Sequence, residues 1–161
     1  MNTYFAVDIG GTQLRAALYA AGETKPLAQK RIPTRGKDQT AVERLIDLLK
    51  SLWPEDHRVK AIALAAPGPT NPRTGVIYSA PNIAGWTNLP IAKIIQDEFK
   101  VPVALGNDAN MAALGELKYG AGQGYSHLLY ITISTGIGGG VIENGQLLLG
   151  HQGLATEIGH I

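Results

Sequence analysis

Short apolar runs stand near both ends of the chain, and apolar residues recur at helical spacing between them. Tyr4-Phe5-Ala6-Val7 leads into Asp8-Ile9-Gly10-Gly11-Thr12, and strands over Gln13 to Tyr19 and Leu27 to Ile32 follow, separated by Ala21-Gly22-Glu23. Thr40 and Glu43 have capping-box spacing and open a helix from about Ala41 to Trp53. Its stripe is Val42, Leu45, Ile46, Leu49 and Leu52, and Pro54 stops it. Val59 to Ala66 reads as a buried strand ending in Pro67-Gly68-Pro69, and the stretch through Pro72, Gly75 and Pro81-Asn82 reads as irregular. A helix follows from about Pro90 to Phe99, with Pro90 at an early helical position, then a strand over Val101 to Leu105 and a helix from Ala109 to about Tyr119. Gly120 to Gly124 reads as a linker. Beyond it, Leu128 to Ile133 is a strand, Ser134 to Gly140 a glycine-and-hydroxyl turn, and Val141 onward a strand. Asn144-Gly145 marks a hairpin back into Gln146 to Leu149.

The order is βββαβαβα, then a fresh βββ. Strands interleaved with helices imply parallel neighbours, here joined to an antiparallel meander. The expected fold is α/β: a mixed five-stranded sheet with helices on both faces, plus the opening β-meander of a second, similar unit. The boundary falls in the glycine linker, giving domains 1–121 and 122–161. A meander without covering helices leaves its apolar face exposed or buried against another copy of the chain, as in a homodimer.

Fourteen basic against thirteen acidic residues leave a formal charge of +1, which argues for neither a nucleic acid nor a membrane partner. Lys30, Arg31, Arg35 and Lys37 read as a solvated edge. The chain has no cysteine, which excludes disulfides and thiolate zinc sites within it. No signal peptide precedes the first strand and no apolar run approaches membrane length, so a cytoplasmic location is expected.

The candidate chemistry sits at turns. Asp8 to Thr12 puts a carboxylate, two residues without Cβ and a hydroxyl at one strand end, a combination suited to phosphate oxygens and hydrated Mg²⁺, or simply to a hairpin turn. Thr135, Gly136 and Gly138 repeat the idea, so two such turns across a cleft could hold a nucleotide triphosphate. Neither is a G-x-x-x-x-G-K-[ST] loop or a G-x-G-x-x-G fingerprint. Ligands bind at the carboxyl ends of parallel strands, where Asn107-Asp108 lies just ahead of a helix. Either residue can be an N-cap; alternatively Asp108 accepts a hydroxyl proton and Asn107 holds a sugar hydroxyl. Gly68 ends the adjacent strand, and Asn82 sits in a loop near Trp86. Glu157 and His160 share a face if that end is helical, as a metal pair, a polyol-binding pair or a surface pair. His57, His127 and His151 have no visible partner.

Together these pieces resemble the ROK family of bacterial sugar kinases and repressors, in the superfamily of actin and hexokinases with its ribonuclease H-like fold. The matching segments are Asp8-Ile9-Gly10-Gly11-Thr12 with Arg15, Ala66-Pro67-Gly68, Pro81-Asn82 and Asn107 to Glu116. Thr135 to Gly140 and Gly153 to His160 continue the match. The resemblance implies ATP-dependent phosphorylation of a hexose at its 6-hydroxyl, with Asp108 as base. It implies sugar contacts at Asn82, Asn107, Asp108, Glu157 and His160, with Gly68 adjacent. Asp8, Gly10, Gly11, Thr12, Thr135, Gly136 and Gly138 would serve ATP and Mg²⁺. In the family a cysteine motif follows E-x-G-H and supplies zinc thiolates and a further sugar-binding Glu. Here the chain stops at Ile161, so His160 stands as a zinc ligand without its companions. The resemblance is therefore to the N-terminal portion of a glucokinase-like enzyme, inactive alone. A sugar-sensing module of the repressor type, without its DNA-binding domain, is the alternative.

Overall fold

The computed structural model describes residues 1–133 and 136–160, with the backbone alone at His160. In chain order the strands are β1 (Asn2–Ile9), β2 (Gln13–Ala20), β3 (Ala28–Pro33), β4 (Arg58–Ala66), β5 (Thr70–Asn71), β6 (Val76–Ser79) and β7 (Thr87–Leu89). They continue with β8 (Val103–Asn107), β9 (Leu128–Ile133), β10 (Ile137–Glu143) and β11 (Gln146–Leu147). The helices are α1 (Ala41–Ser51), α2 (Ile91–Phe99) and α3 (Asp108–Tyr119), and a 3₁₀ turn spans Ile158–His160. Among the described residues no helix is long and apolar enough to cross a membrane.

The mixed five-stranded sheet expected from sequence is present, in the order β3-β2-β1-β4-β8. β1 runs antiparallel to β2 and parallel to β4, and β4 runs parallel to β8. Alternation explains the core. Phe5, Val7 and Ile9 of β1, Leu14, Ala16 and Leu18 of β2 and Ile62, Leu64 and Ala66 of β4 are buried on one face. Leu45, Leu48 and Leu49 of α1 and Ile91 and Ile95 of α2 close that face. Each such large side chain contributes about 1.5–3 kcal/mol by leaving water. Trp53 stacks on Phe5 at 5.5 Å and on Phe99 at 4.7 Å, joining the end of α1 to the end of α2. On the opposite face Met111 of α3 lies over Gly106, while Tyr4, Ala6 and Ala63 are exposed. The capping box is formed: Thr40 Oγ1 accepts from the Glu43 N–H, and the Glu43 carboxylate accepts from the Thr40 N–H.

Several boundaries differ from the sequence expectation. The stretch read as irregular holds a separate antiparallel sheet, β5-β6-β7. Its strands have two to four residues, too few for alternation to register. The strand expected at Val101 to Leu105 begins at Val103 and runs on to Asn107. Pro102 has no N–H for the ladder, and pairing with β4 continues past the apolar residues to Ala66↔Asn107. Pro90 sits at the N-cap of α2 rather than inside it. Gly138 to Gly140, read as part of a turn, belong to strand β10, opposite Thr132, Ile131 and Tyr130.

The β9-β10-β11 meander forms a sheet of its own. Asn144 and Gly145 close its hairpin with φ of 50° and 76°, the left-handed pair that a two-residue turn needs. The expectation of an uncovered meander is corrected on one side. Ala113 and Leu117 of α3 bury Ile142 against the inner face, with Leu114, Leu128, Tyr130 and Leu147 packed around them. The other face is open, with Leu129, Ile131 and Ile133 at 60%, 50% and 80% exposure. Gly120 to Gly124 is a folded turn rather than a loose tether: Glu116 accepts from the N–H groups of Gly120, Ala121 and Gly122.

Candidate functional site

The carboxyl ends of β1, β4 and β8 lie side by side and present the first glycine turn, Gly68 and the Asn107-Asp108 pair. Asp8 pairs across the strands with Arg15, their charged ends 3.5 Å apart and both well exposed. The turn is held from within and from β3. The Gly10 N–H donates to Gln13 O at 2.9 Å, and the Thr34 hydroxyl donates to Gly10 O at 2.6 Å. The Thr34 N–H donates to Thr12 O at 2.9 Å. The Gly10 amide is therefore committed to the turn, leaving those of Gly11 and Thr12 as the turn's donors. Gly11 is needed for a close approach: a Cβ there would stand 2.8 Å from the Asn82 Cβ. The β6–β7 connection thus seats Asn82 directly on the turn. Gly11, Thr12, Pro33, Arg35 and Asn82 line one cleft of about 520 Å³.

Gly68 has φ of 77°, and any side chain on it would run into the Ser79 carbonyl. Its own carbonyl accepts from Asn107 Nδ2 at 3.0 Å. Asn107 Oδ1 accepts from the Ala109 and Asn110 N–H groups at 2.9 and 3.3 Å, so Asn107 is the N-cap of α3. One amide side chain therefore straps the end of β4 to the start of α3.

Asp108 is the first residue of α3, and its Oδ1 accepts from the Ala109 N–H at 2.8 Å. Its carboxyl is pushed above the usual carboxylate range. Burial is the main cause, the Ala109 hydrogen bond pulls the other way, and the Asp8 carboxylate pushes it up further. Asp108 as a whole is nonetheless exposed to solvent, so water screens the shift; a carboxylate of raised basicity that solvent and substrate can both reach, at a strand end, is able to take a proton from a hydroxyl. The raised value also costs stability. Below about pH 3.9, the ordinary carboxylate value, Asp108 is protonated in both folded and unfolded chains and the cost vanishes. As pH rises through the folded value, the fold must carry an ionised carboxylate that it disfavours. Asp108→Asn should therefore raise the urea midpoint slightly at pH 7, the gain kept small by solvent screening of this exposed residue and disappearing by about pH 3. A gain of equal size at both pH values, or none at pH 7, would contradict this origin of the shift.

The remaining candidate residues lie in β10, just before it, and in the segment after β11. Gly138 lies against Ala109, and a Cβ on Gly140 would stand 2.7 Å from the Ala113 Cβ and 2.9 Å from Ala109 O. These glycines let β10 pack tightly under the first turns of α3, a role that sequence reasoning did not assign. Gly136 is exposed, with open space where a Cβ would be. Thr135 lies outside the described residues, as does the His160 side chain. Glu157 directly precedes the 3₁₀ turn, and its N–H donates to Leu154 O at 3.4 Å. Two ties hold this segment. The Thr156 hydroxyl donates to Asn110 Oδ1 at 3.2 Å, with both residues buried. Arg73 donates to the His151 and Gly150 carbonyls at 3.2 and 3.4 Å. Neither tie has a sequence signature, because the partners stand 46 to 78 positions apart.

The donor set fits some groups and not others. Two carboxylates, a hydroxyl and free amides suit a triphosphate with Mg²⁺, which takes one or two carboxylates and completes its shell from phosphate and water. Zinc does not fit. The chain has no cysteine, and among the described residues no three metal-ligating side chains gather.

The ROK family model matches residues 4–161. A glucokinase from Halalkalibacterium halodurans is 43% identical, the alignment covering 98% of this chain and 49% of that protein. A Streptomyces coelicolor glucokinase is 36% identical over 100% of this chain and 50% of its own length. Among solved structures, a ROK family glucokinase from Streptomyces griseus in complex with glucose and AMPPNP superimposes with a TM-score of 0.86. It is 34% identical, with 99% of this chain and 50% of that one covered. The chain spans about half the length of the curated relatives it matches.

Proposed function

The chain belongs to the ROK family, and on that premise we propose that it is the N-terminal portion of a cytoplasmic kinase that phosphorylates a hexose at its 6-hydroxyl. Residues 1–121 form the sugar- and phosphate-binding domain, and residues 122–161 open the ATP-binding domain. The observation that carries this reading is Asp108. It stands where β8 ends and α3 begins, at the carboxyl edge of the sheet and raised in basicity, beside an Asn107 that straps Gly68 to α3.

ATP supplies the phosphoryl group. The chain's own residues bind and orient. Asn82, Asn107, Glu157 and His160 hold the sugar, with Gly68 giving close backbone access. Asp108 accepts the proton of the 6-hydroxyl. Gly11 and Thr12 donate to phosphate oxygens, Gly10 shapes their turn, and Asp8 faces the Mg²⁺ region. Thr135, Gly136 and Gly138 belong to the second phosphate wall. Catalysis of this kind depends on positioning and electrostatics more than on covalent chemistry. The ties from Arg73 and Thr156 are therefore part of the apparatus, because they set where Glu157 stands. A homodimer buried through the open meander face fits the same reading.

Glucose titrated into the isotopically labelled 161-residue chain tests the sugar site. Weak saturable shifts confined to the amides of Gly68, Asn82, Asn107 and Asp108 are expected. Shifts scattered over other surfaces, or none at saturating sugar, would count against it.

A further inference from the structure

We propose that Arg35 belongs to the binding site, forming with Gly11 and Thr12 a subsite for the oxygens of a phosphate group. The inference rests on the reading of that turn as a phosphate turn, and adds a residue that its motif does not contain. By sequence Arg35 falls in a basic run that reads as a solvated edge. The structure instead puts it on the rim of the cleft lined by Gly11, Thr12, Pro33 and Asn82. Arg35 is the one charged side chain among those residues.

The loop that carries Arg35 is fixed on both sides. Thr34, one residue earlier, holds the turn through its hydroxyl on Gly10 O and its N–H on Thr12 O. Pro33 O accepts from Arg44 Nε at 2.9 Å, and the Arg44 side chain packs against Gly36. The Cα of Arg35 is thus tied to the turn, while its side chain takes part in none of the ion pairs among the described residues. A guanidinium offers planar, two-pronged donation that matches phosphate, and Gly11 and Thr12 of the turn line the same cleft. An anion there can be the terminal phosphate of the donor or the phosphate of the phosphorylated sugar. Both present the same oxygens, and Asn82 on the shared wall suits the sugar phosphate.

Sodium tripolyphosphate and glucose 6-phosphate, titrated separately into the metal-free 161-residue chain, distinguish these sources, with the Gly11 and Thr12 amide shifts as readout. At least one anion should shift those amides saturably, and the one that does so identifies the source. Arg35→Gln should weaken that binding about tenfold, and Arg35→Lys should restore only part of it, because an ammonium keeps the charge without the fork. Arg35 is exposed, and unchanged circular dichroism of both variants shows the fold intact. Thr12→Val separates the proposal from its premise. If it weakens binding while Arg35→Gln does not, the phosphate turn stands and the Arg35 assignment falls. If neither anion shifts Gly11 or Thr12 in the unaltered chain, both fall together.

Discussion

Residues 1–161 alone, given glucose and Mg·ATP, will not phosphorylate sugar at a useful rate. Phosphoryl transfer depends on holding both substrates in line inside a closed cleft, and well-oriented reactants gain about 7–11 kcal/mol over free encounter. Much of the apparatus is present. Asp108 opens α3 at the strand end, the first glycine turn is braced by Thr34, and Asn82 is seated on it. What the chain does not supply is the second half of the length that its relatives have. On the kinase reading that half carries most of the adenosine pocket, so the chain holds ATP by its phosphates alone. The segment carrying Glu157 is held by the Thr156 and Arg73 ties and by Ile158 lying against Gly139, and the chain has no cysteine to add the zinc thiolates of the family pattern. An open, hydrated half-cleft also loses the strengthening that a dry site gives to every charge interaction. A coupled assay on the purified chain, with Asp108→Asn as control, checks this. Turnover near one per second that the control abolishes would show that half of the fold suffices.

What could be read in the sequence followed from side chains that repeat or cap. The apolar run Tyr4 to Val7 marked β1, though which of its residues face the core emerges only in the structure, and Thr40 with Glu43 announced the start of α1. The position of Asn107-Asp108 at a strand end was visible too. The division of labour between them was not, because it depends on the Gly68 carbonyl reaching Asn107 from 39 residues away. The β5-β6-β7 sheet was hidden by strands too short to show a period. Gly138 to Gly140 looked like a turn because glycine has no side chain with which to alternate. In the structure the missing Cβ atoms of Gly138 and Gly140 let α3 lie close over β10, and that of Gly139 makes room for Ile158 on the other face. Arg35 was lost among neighbouring charges, since only the Thr34 bonds to the turn reveal where it stands. The general cause is shared: local pattern reports elements, whereas a site is made by contacts between residues far apart in the chain.

Asp108 carries the second large effect. Asparagine keeps the shape of the side chain and an acceptor for the Ala109 N–H, but it cannot take up a proton. A general base contributes about 10²–10⁴ in rate, so its loss should appear in turnover and leave sugar affinity nearly unchanged. A residue that merely starts a helix would behave otherwise, since an Asn serves that role equally well.

The direct measurement is made on residues 1–161 completed with the C-terminal half of a relative such as the Streptomyces coelicolor glucokinase, as parent and as Asp108→Asn. Glucose affinity is measured on both, so that a folded site is established independently of turnover. The account predicts an active parent and a variant whose kcat is lower by about two to four orders of magnitude at similar glucose affinity. Near-normal turnover in the variant would make Asp108 a helix-start residue and contradict the mechanism.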